Sequence, residues 1–255
     1  GMSDYVVVIP ARYASERLPG KPLRTIGGKP MLQHVVERGR ESGARAVIVA
    51  TDDERIREAV EAFGGQCCMT AAAHPSGTDR LAEVARQLDW PADTVVVNLQ
   101  GDEPLMPPAL IDQCADLLGD RRADVATLAS PFRSQADFEN PNMVKAVVDN
   151  EGFALYFSRA SIPYARSADR AENARKAALH HHGIYAYRNA VLQGIVAAPP
   201  SPLEQTEQLE QLRALSLGMK IKVGVPPVRP GPGVDTEDDL VEAERLLSEG
   251  RESAD

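Results

Sequence analysis

A chain of 255 residues with 43% hydrophobic and 25% charged residues has a globular make-up. It has enough length to bury roughly three quarters of its unfolded surface, which excludes a disordered or fibrous chain. A formal net charge of -9 excludes the broad basic face that nucleic-acid binding needs. No apolar run reaches the roughly 18 residues of a membrane span, and the N-terminus lacks a signal-peptide pattern, so the cytoplasm is the expected location. Cys67 and Cys68 are adjacent and Cys114 stands alone, which offers neither a disulfide framework nor metal-ligand spacing.

Val6 to Ile9 is a β-branched run that predicts a strand buried on both faces of a parallel sheet, ended by Pro10. Pro30 can open a helix whose apolar stripe is Leu32, Val35 and Val36, stopped by Gly43. Ala46 to Ala50 repeats the strand signature, and Asp52 is the expected cap of a helix through Phe63. A short strand at Gln66 to Met69, a helix from Asp79 to Leu88, a strand from Thr94 to Leu99 and a helix from Pro107 to Leu118 follow. This alternation predicts an α/β fold, mostly a parallel sheet sandwiched by helices.

The second half is less regular. Strands are expected at Val125 to Ala129, Met143 to Val148, Ala154 to Phe157, His181 to Tyr187 and Ile221 to Val225. Helices are expected at Val191 to Ala197, Glu204 to Leu217 and Thr236 to Ser248, and Ser167 to Ala178 reads as a mobile surface loop. With no internal repeat or linker, residues 2–255 read as one domain, with an inserted lobe at about 130–190.

"VVVIPARYASERLPGKPL" places Arg12, Arg17 and Lys21 in the loop that leaves the first strand. Ligands collect at the carboxyl ends of parallel strands, so these cations can converge on one crevice. Arg suits bidentate contact with phosphate oxygens and Lys is a compact point charge, so the set fits a triphosphate. The loop by itself is equally compatible with solvated surface cations. A P-loop is excluded, because Gly20-Lys21 and Gly28-Lys29 are each followed by Pro, and no G-x-G-x-x-G follows the first strand.

"VVVNLQGDEPLMPP" puts Asp102 and Glu103 at a strand's carboxyl end, where they are suitable hard oxygen ligands for Mg²⁺ or simply part of a turn. In "PGPGVDTEDDL", Asp235 is either a helix N-cap or a second metal ligand. In "LHHHGIYAY" alternate side chains face opposite ways along a strand, so His180, His181 and His182 cannot all reach one metal. A polar contact from His181 to a substrate is the better expectation.

Together with "HPSGTDRLAEV", "NPNMVKAV", "ALYFSRASIPY", "HHGIYAYR" and "PSPLEQTEQLEQLRAL", these stretches resemble the 3-deoxy-manno-octulosonate (Kdo) cytidylyltransferase family over essentially the whole chain. The resemblance implies a nucleotide-diphospho-sugar transferase-like domain that forms a homodimer through its inserted lobe. It implies coupling of CTP to Kdo with release of pyrophosphate, for lipopolysaccharide synthesis. Arg12, Arg17, Lys21 and Asp102 would be catalytic, and Ala11, Arg12, Lys21, Ser76, Gly77, Arg80 and Gln100 would bind the nucleotide. Asp102 and Asp235 would hold Mg²⁺, and Arg159, His181, Tyr185, Glu210 and Gln211 would face the acid sugar. His180 and the stretch Ala71 to His74 depart from the pattern, which keeps a related acid sugar open as acceptor, 8-amino-Kdo or sialic acid among them. A non-catalytic nucleotide-binding regulator is the alternative of a different class.

Overall fold

In a computed structural model, which describes residues 4–250, the first strand β1 (Tyr5–Pro10) is followed by a cationic loop. A small hairpin of β2 (Thr25–Ile26) and β3 (Lys29–Pro30), which the sequence did not announce, leads into α1 (Met31–Glu41). Then come β4 (Ala46–Thr51), α2 (Glu54–Ala62), β5 (Gln66–Met69), α3 (Gly77–Gln87), β6 (Val95–Asn98) and α4 (Pro108–Asp116). The second half runs β7 (Val125–Pro131), α5 (Gln135–Glu139), β8 (Lys145–Val148), β9 (Ala154–Ser158), α6 (Ala171–Ala177), β10 (Leu179–Arg188) and α7 (Asn189–Ala197). It closes with α8 (Pro202–Glu207), α9 (Gln211–Ser216), β11 (Ile221–Gly224) and α10 (Glu237–Ser248).

The main sheet has the order β11-β7-β10-β6-β1-β4-β5. Pairs of β1 with β4 and β6, of β4 with β5 and of β7 with β11 are parallel. The long strand β10 enters antiparallel between β6 and β7, and β8 and β9 branch from it. Val7 and Ile9 pack under α1, α2 and α4, while Val6 and Val8 pack under α3, α7 and α9. An apolar run without alternation is therefore what a strand covered on both faces requires, each such side chain contributing about 1.5–3 kcal/mol.

A third, separate apolar cluster joins distant parts of the chain: Leu18 of the cationic loop, Ile26, Met31, Leu105, Val234, and Leu240, Ala243 and Leu246 of α10.

Several sequence expectations need correction. The cap of α2 is Asp53, whose carboxylate accepts from the N–H groups of Arg55 and Ile56, whereas Asp52 lies 3.7 Å from Arg80. The single helix expected at Glu204 to Leu217 is two helices, because Gln208 turns into the left-handed region at φ 56°. Ser167 to Ala178 is a one-turn 3-10 helix at Ala168–Arg170 followed by α6, held by Ala174 and Ala178 against Phe132 and Phe138. The strand expected from His181 begins at Leu179.

Candidate active site

The loops that leave the carboxyl ends of β1, β5 and β6 surround a cleft of about 500 Å³. Its walls include Ala11, Arg12, Arg17 and Lys21 from the first loop, Ser76, Gly77 and Arg80 at the start of α3, and Gln100 and Asp102 beyond β6. Every residue the sequence assigned to the nucleotide is on this wall, as is Asp235 from the far end of the chain.

The cationic loop is shaped by Gly20, which holds φ +64° and opens a 3-10 turn at Lys21–Leu23. A Cβ there would lie 3.1 Å from Tyr13 Oη, and the left-handed backbone disfavours a side chain in any case. Tyr13 is covered by the Arg55 guanidinium, 3.4 Å above its ring centre. Arg12 and Arg17 stay exposed, and among the described residues neither makes an ion pair. Beyond β6, Gly101 approaches the first loop so closely that a Cβ would meet the Pro10 carbonyl at 3.2 Å.

Lys21 Nζ donates to Asp235 Oδ1 at 2.9 Å and to Asp102 Oδ2 at 3.3 Å. Asp235 is free to do so because Thr236 caps α10 in its place, in a capping box with Asp239. The main chains are tied as well, Val234 N–H donating to the Asp102 carbonyl at 2.8 Å. Burial alone would lower the Lys21 ammonium, yet the attraction of Asp102 and Asp235 outweighs it and the pKa rises. Asp102 is pushed up by burial and by the like charge of Asp235, against the pull of Lys21. Glu103, which the sequence paired with Asp102, is off this wall beside Gly233, its carboxyl also pushed up by burial.

Among the described residues no three His, Cys, Asp or Glu side chains are grouped for a metal ion. What the cleft offers is two carboxylates already gathered around one cation, Lys21. That donor set suits Mg²⁺, which keeps several waters and shares one or two carboxylates with substrate phosphates.

Arg80 is 3% exposed and donates to Thr70 Oγ1 at 2.5 Å and to the Ala71 carbonyl at 3.3 Å. Ser76 caps α3, its Oγ 2.6 Å from Asp79 Oδ2 and 3.2 Å from Glu210 Oε1. Sequence reasoning missed Ser15, Glu16 and Pro75, which also line the cleft, as does His74 at the end of the stretch that departs from the family pattern. They sit in the same two loops as the assigned residues, and loop membership was the available signal.

A second cavity of about 250 Å³ adjoins the first, sharing Gly77, Gln100 and Glu210 with it. Tyr185, Glu210 and Gln211, which the sequence assigned to the acid sugar, line it together, Tyr185 Oη donating to Gln211 Oε1 at 3.3 Å. Asn98, Thr78 and Tyr187 line it too and were not anticipated. Arg159 and His181 line neither space. His181 lies between Phe157 and Tyr185 with Nε2 2.8 Å from Thr127 Oγ1, and burial pulls its pKa down to about 3, so the ring is neutral.

A mostly parallel sheet whose carboxyl edge carries a nucleotide-sized cleft, lined by Arg12, Arg17 and Lys21 and by the carboxylates of Asp102 and Asp235, is the architecture of a nucleotidyltransferase. The profile of the cytidylyltransferase family matches residues 6–221. The 3-deoxy-manno-octulosonate cytidylyltransferase of Idiomarina loihiensis is 55% identical over 252 residues, 97% of this chain and 100% of that protein. The chain belongs to the 3-deoxy-manno-octulosonate cytidylyltransferase family. A solved CMP:2-keto-3-deoxy-manno-octonic acid synthetase complexed with CTP matches with a TM-score of 0.89 at 46% identity, over 96% of this chain and 99% of that one. The 4-diphosphocytidyl-2C-methyl-D-erythritol synthase of Anaerococcus prevotii, at 12% identity and a TM-score of 0.63 over 96% of this chain and 97% of that one, shares the fold.

Proposed function

We propose that this chain couples CTP to Kdo, giving CMP-Kdo and pyrophosphate. The observation that carries the reading is the meeting of Lys21, Asp102 and Asp235 on one cleft wall, next to a second cavity of monosaccharide size. The CTP complex of the solved relative and the name of the 55%-identical relative support the nucleotide and the acceptor.

In this reading the anomeric 2-hydroxyl of Kdo attacks the α-phosphorus of CTP in line with departing pyrophosphate. Such a transfer needs positioning and charge stabilisation more than covalent help. Arg12 and Arg17, exposed and uncommitted, grip the triphosphate. Ser76, Gly77, Arg80 and Gln100 form the nucleoside end of the cleft. Lys21 turns from the two carboxylates toward the phosphoryl oxygens as their charge grows. Asp102 and Asp235 would hold Mg²⁺, which when bound supplies Lewis-acid stabilisation of the phosphates.

Tyr185, Glu210 and Gln211 take the acid sugar in the second cavity, with Arg159 behind them on the Glu207 and Gln208 carbonyls and His181 packed on Tyr185. The segment 130–190 serves as the lobe of a homodimer; Leu155 is 64% and Tyr164 is 87% exposed on it. Residues 2–255 are read as a single domain, whose outermost residues lie outside those described. No described helix is long and apolar enough to cross a membrane. The same reading places the enzyme in the cytoplasm, at the step that activates Kdo for lipopolysaccharide.

A coupled pyrophosphate assay tests the proposal with each of the four nucleoside triphosphates against Kdo, 8-amino-Kdo and sialic acid. Pyrophosphate release confined to CTP with Kdo is the expected result. Preference for another acid sugar would move the acceptor, and release with none would replace catalysis by nucleotide binding alone.

A further inference from the structure

Lys145, on β8, is a cation of 0% exposure that the mechanism above leaves unused. Its Nζ donates to the carbonyls of Asn140 at 2.7 Å and Arg159 at 2.8 Å, and among the described residues it makes no ion pair. Burying an ammonium without a counter-charge is costly, and a methionine would fill the same space with less penalty. The charge is therefore kept for the carbonyls it holds.

One of those carbonyls belongs to Arg159. The Arg159 guanidinium donates in turn to main-chain oxygens on two segments: Nε to Glu207 at 2.7 Å, Nη2 to Gln208 at 3.3 Å and Nη1 to Pro141 at 3.1 Å. Its own N–H donates to Glu207 Oε1 at 2.8 Å. Gln208, held in the left-handed conformation, begins the stretch Gln208, Leu209, Glu210 and Gln211 that forms one wall of the second cavity. Lys145 thus fixes both the main chain that carries the guanidinium and the Asn140 end of the turn that the guanidinium grips.

We infer that Lys145 is a positioning residue for the acceptor: acting through Arg159, it sets the Gln208–Gln211 wall against which the acid sugar binds. The inference rests on the proposed reading of the second cavity. It gives the buried lysine its task on the acceptor side, because its chain of contacts runs to the second cavity's wall and reaches none of Lys21, Asp102 and Asp235; Glu210 is the one residue of that wall that also lines the first cleft, 3.2 Å from Ser76 Oγ.

The test is the kinetics of Lys145→Met, Arg159→Ala and the double variant, with equilibrium CTP binding measured on each. Lys145→Met is expected to raise the KM for Kdo by about 10-fold or more, with the KM for CTP and the CTP affinity within about 2-fold of the parent. In the Arg159→Ala background the same change should add less than about 2-fold, because the two act in series. Equal losses for CTP and Kdo, or effects that multiply in the double variant, overturn the inference. Should Lys145→Met lose CTP binding, Lys145→Gln keeps an amide donor for the carbonyls and is expected to restore CTP binding with an intermediate KM for Kdo. Loss of CTP binding in both would make Lys145 a framework residue only and also overturn it. The parent enzyme, assayed alongside with CTP and Kdo, checks the underlying reading separately.

Discussion

Lys21→Met removes the ammonium while keeping the stem that reaches the cleft wall. Lys21 Nζ lies 2.9 Å and 3.3 Å from its two carboxylate oxygens, so the side chain can bring a full charge into contact with an anion here. A contact pair at about 4 Å is worth about 4 kcal/mol at an effective dielectric near 20. Only the part that grows in the transition state accelerates the reaction, which leaves about 3 kcal/mol for Lys21. At 1.36 kcal/mol per decade that is a loss of about 150-fold in kcat/KM, measured as pyrophosphate release at limiting CTP with Kdo in excess. The variant should also bind Mn²⁺ more tightly than the parent without nucleotide, as read by electron paramagnetic resonance, because the two carboxylates lose the cation they share. Turnover within about 3-fold of the parent would remove Lys21 from the chemistry, whatever the metal result.

Asp102→Asn deletes one of the two charges, and the Mg²⁺ concentration for half-maximal rate should rise about 10-fold, with partial recovery at high Mg²⁺; an unchanged Mg²⁺ dependence would refute the assignment. His181 has a folded pKa near 3 against an ordinary 6.5, so the unfolded chain binds the proton first and stability is lost as pH falls below 6.5. That loss amounts to about 2 kcal/mol at pH 5. His181→Gln should flatten the decline of Tm between pH 7 and pH 5, and an equal decline would place its origin elsewhere. Arg213 pairs with Glu204 at 2.8 Å, the two side chains 9% and 11% exposed. Arg213→Met strands a buried carboxylate and should cost about 3–5 kcal/mol, seen as a Tm lower by roughly 10 °C; a shift under about 2 °C would show that Glu204 had found another partner.

The nucleotide half of the site was legible because its parts are local. Lys21 and Asp102 lie in the loops that leave β1 and β6, and a strand's carboxyl end is a position that sequence can name. Asp235 was ambiguous between cap and ligand; the neighbouring Thr236 takes the cap, which leaves the Asp235 carboxylate on Lys21. The α2 cap was placed one residue early because Asp52 and Asp53 are chemically equivalent in sequence, and only geometry gives Asp53 the free N–H groups. The break at Gln208 was invisible, since glutamine is an ordinary helix former and its left-handed backbone is fixed by tertiary contacts such as Arg159. Likewise, nothing in the alternation "LHHHGIYAY" reveals that the strand runs antiparallel to β6 and β7 on either side.

The apolar knot of Leu18, Ile26, Met31, Leu105 and Val234 with α10 has a bearing on biosynthesis. Lys21 and Asp235 are separated by 214 positions, so on a translating ribosome the lysine is made early and waits while nearly all of the sheet is added. Its acidic partner, and the helix that docks beside that partner, are made only after the last strand, β11. A nascent chain with its sheet already laid down would hold the β1, β5 and β6 loops of the cleft yet leave Lys21 without the carboxylate of Asp235.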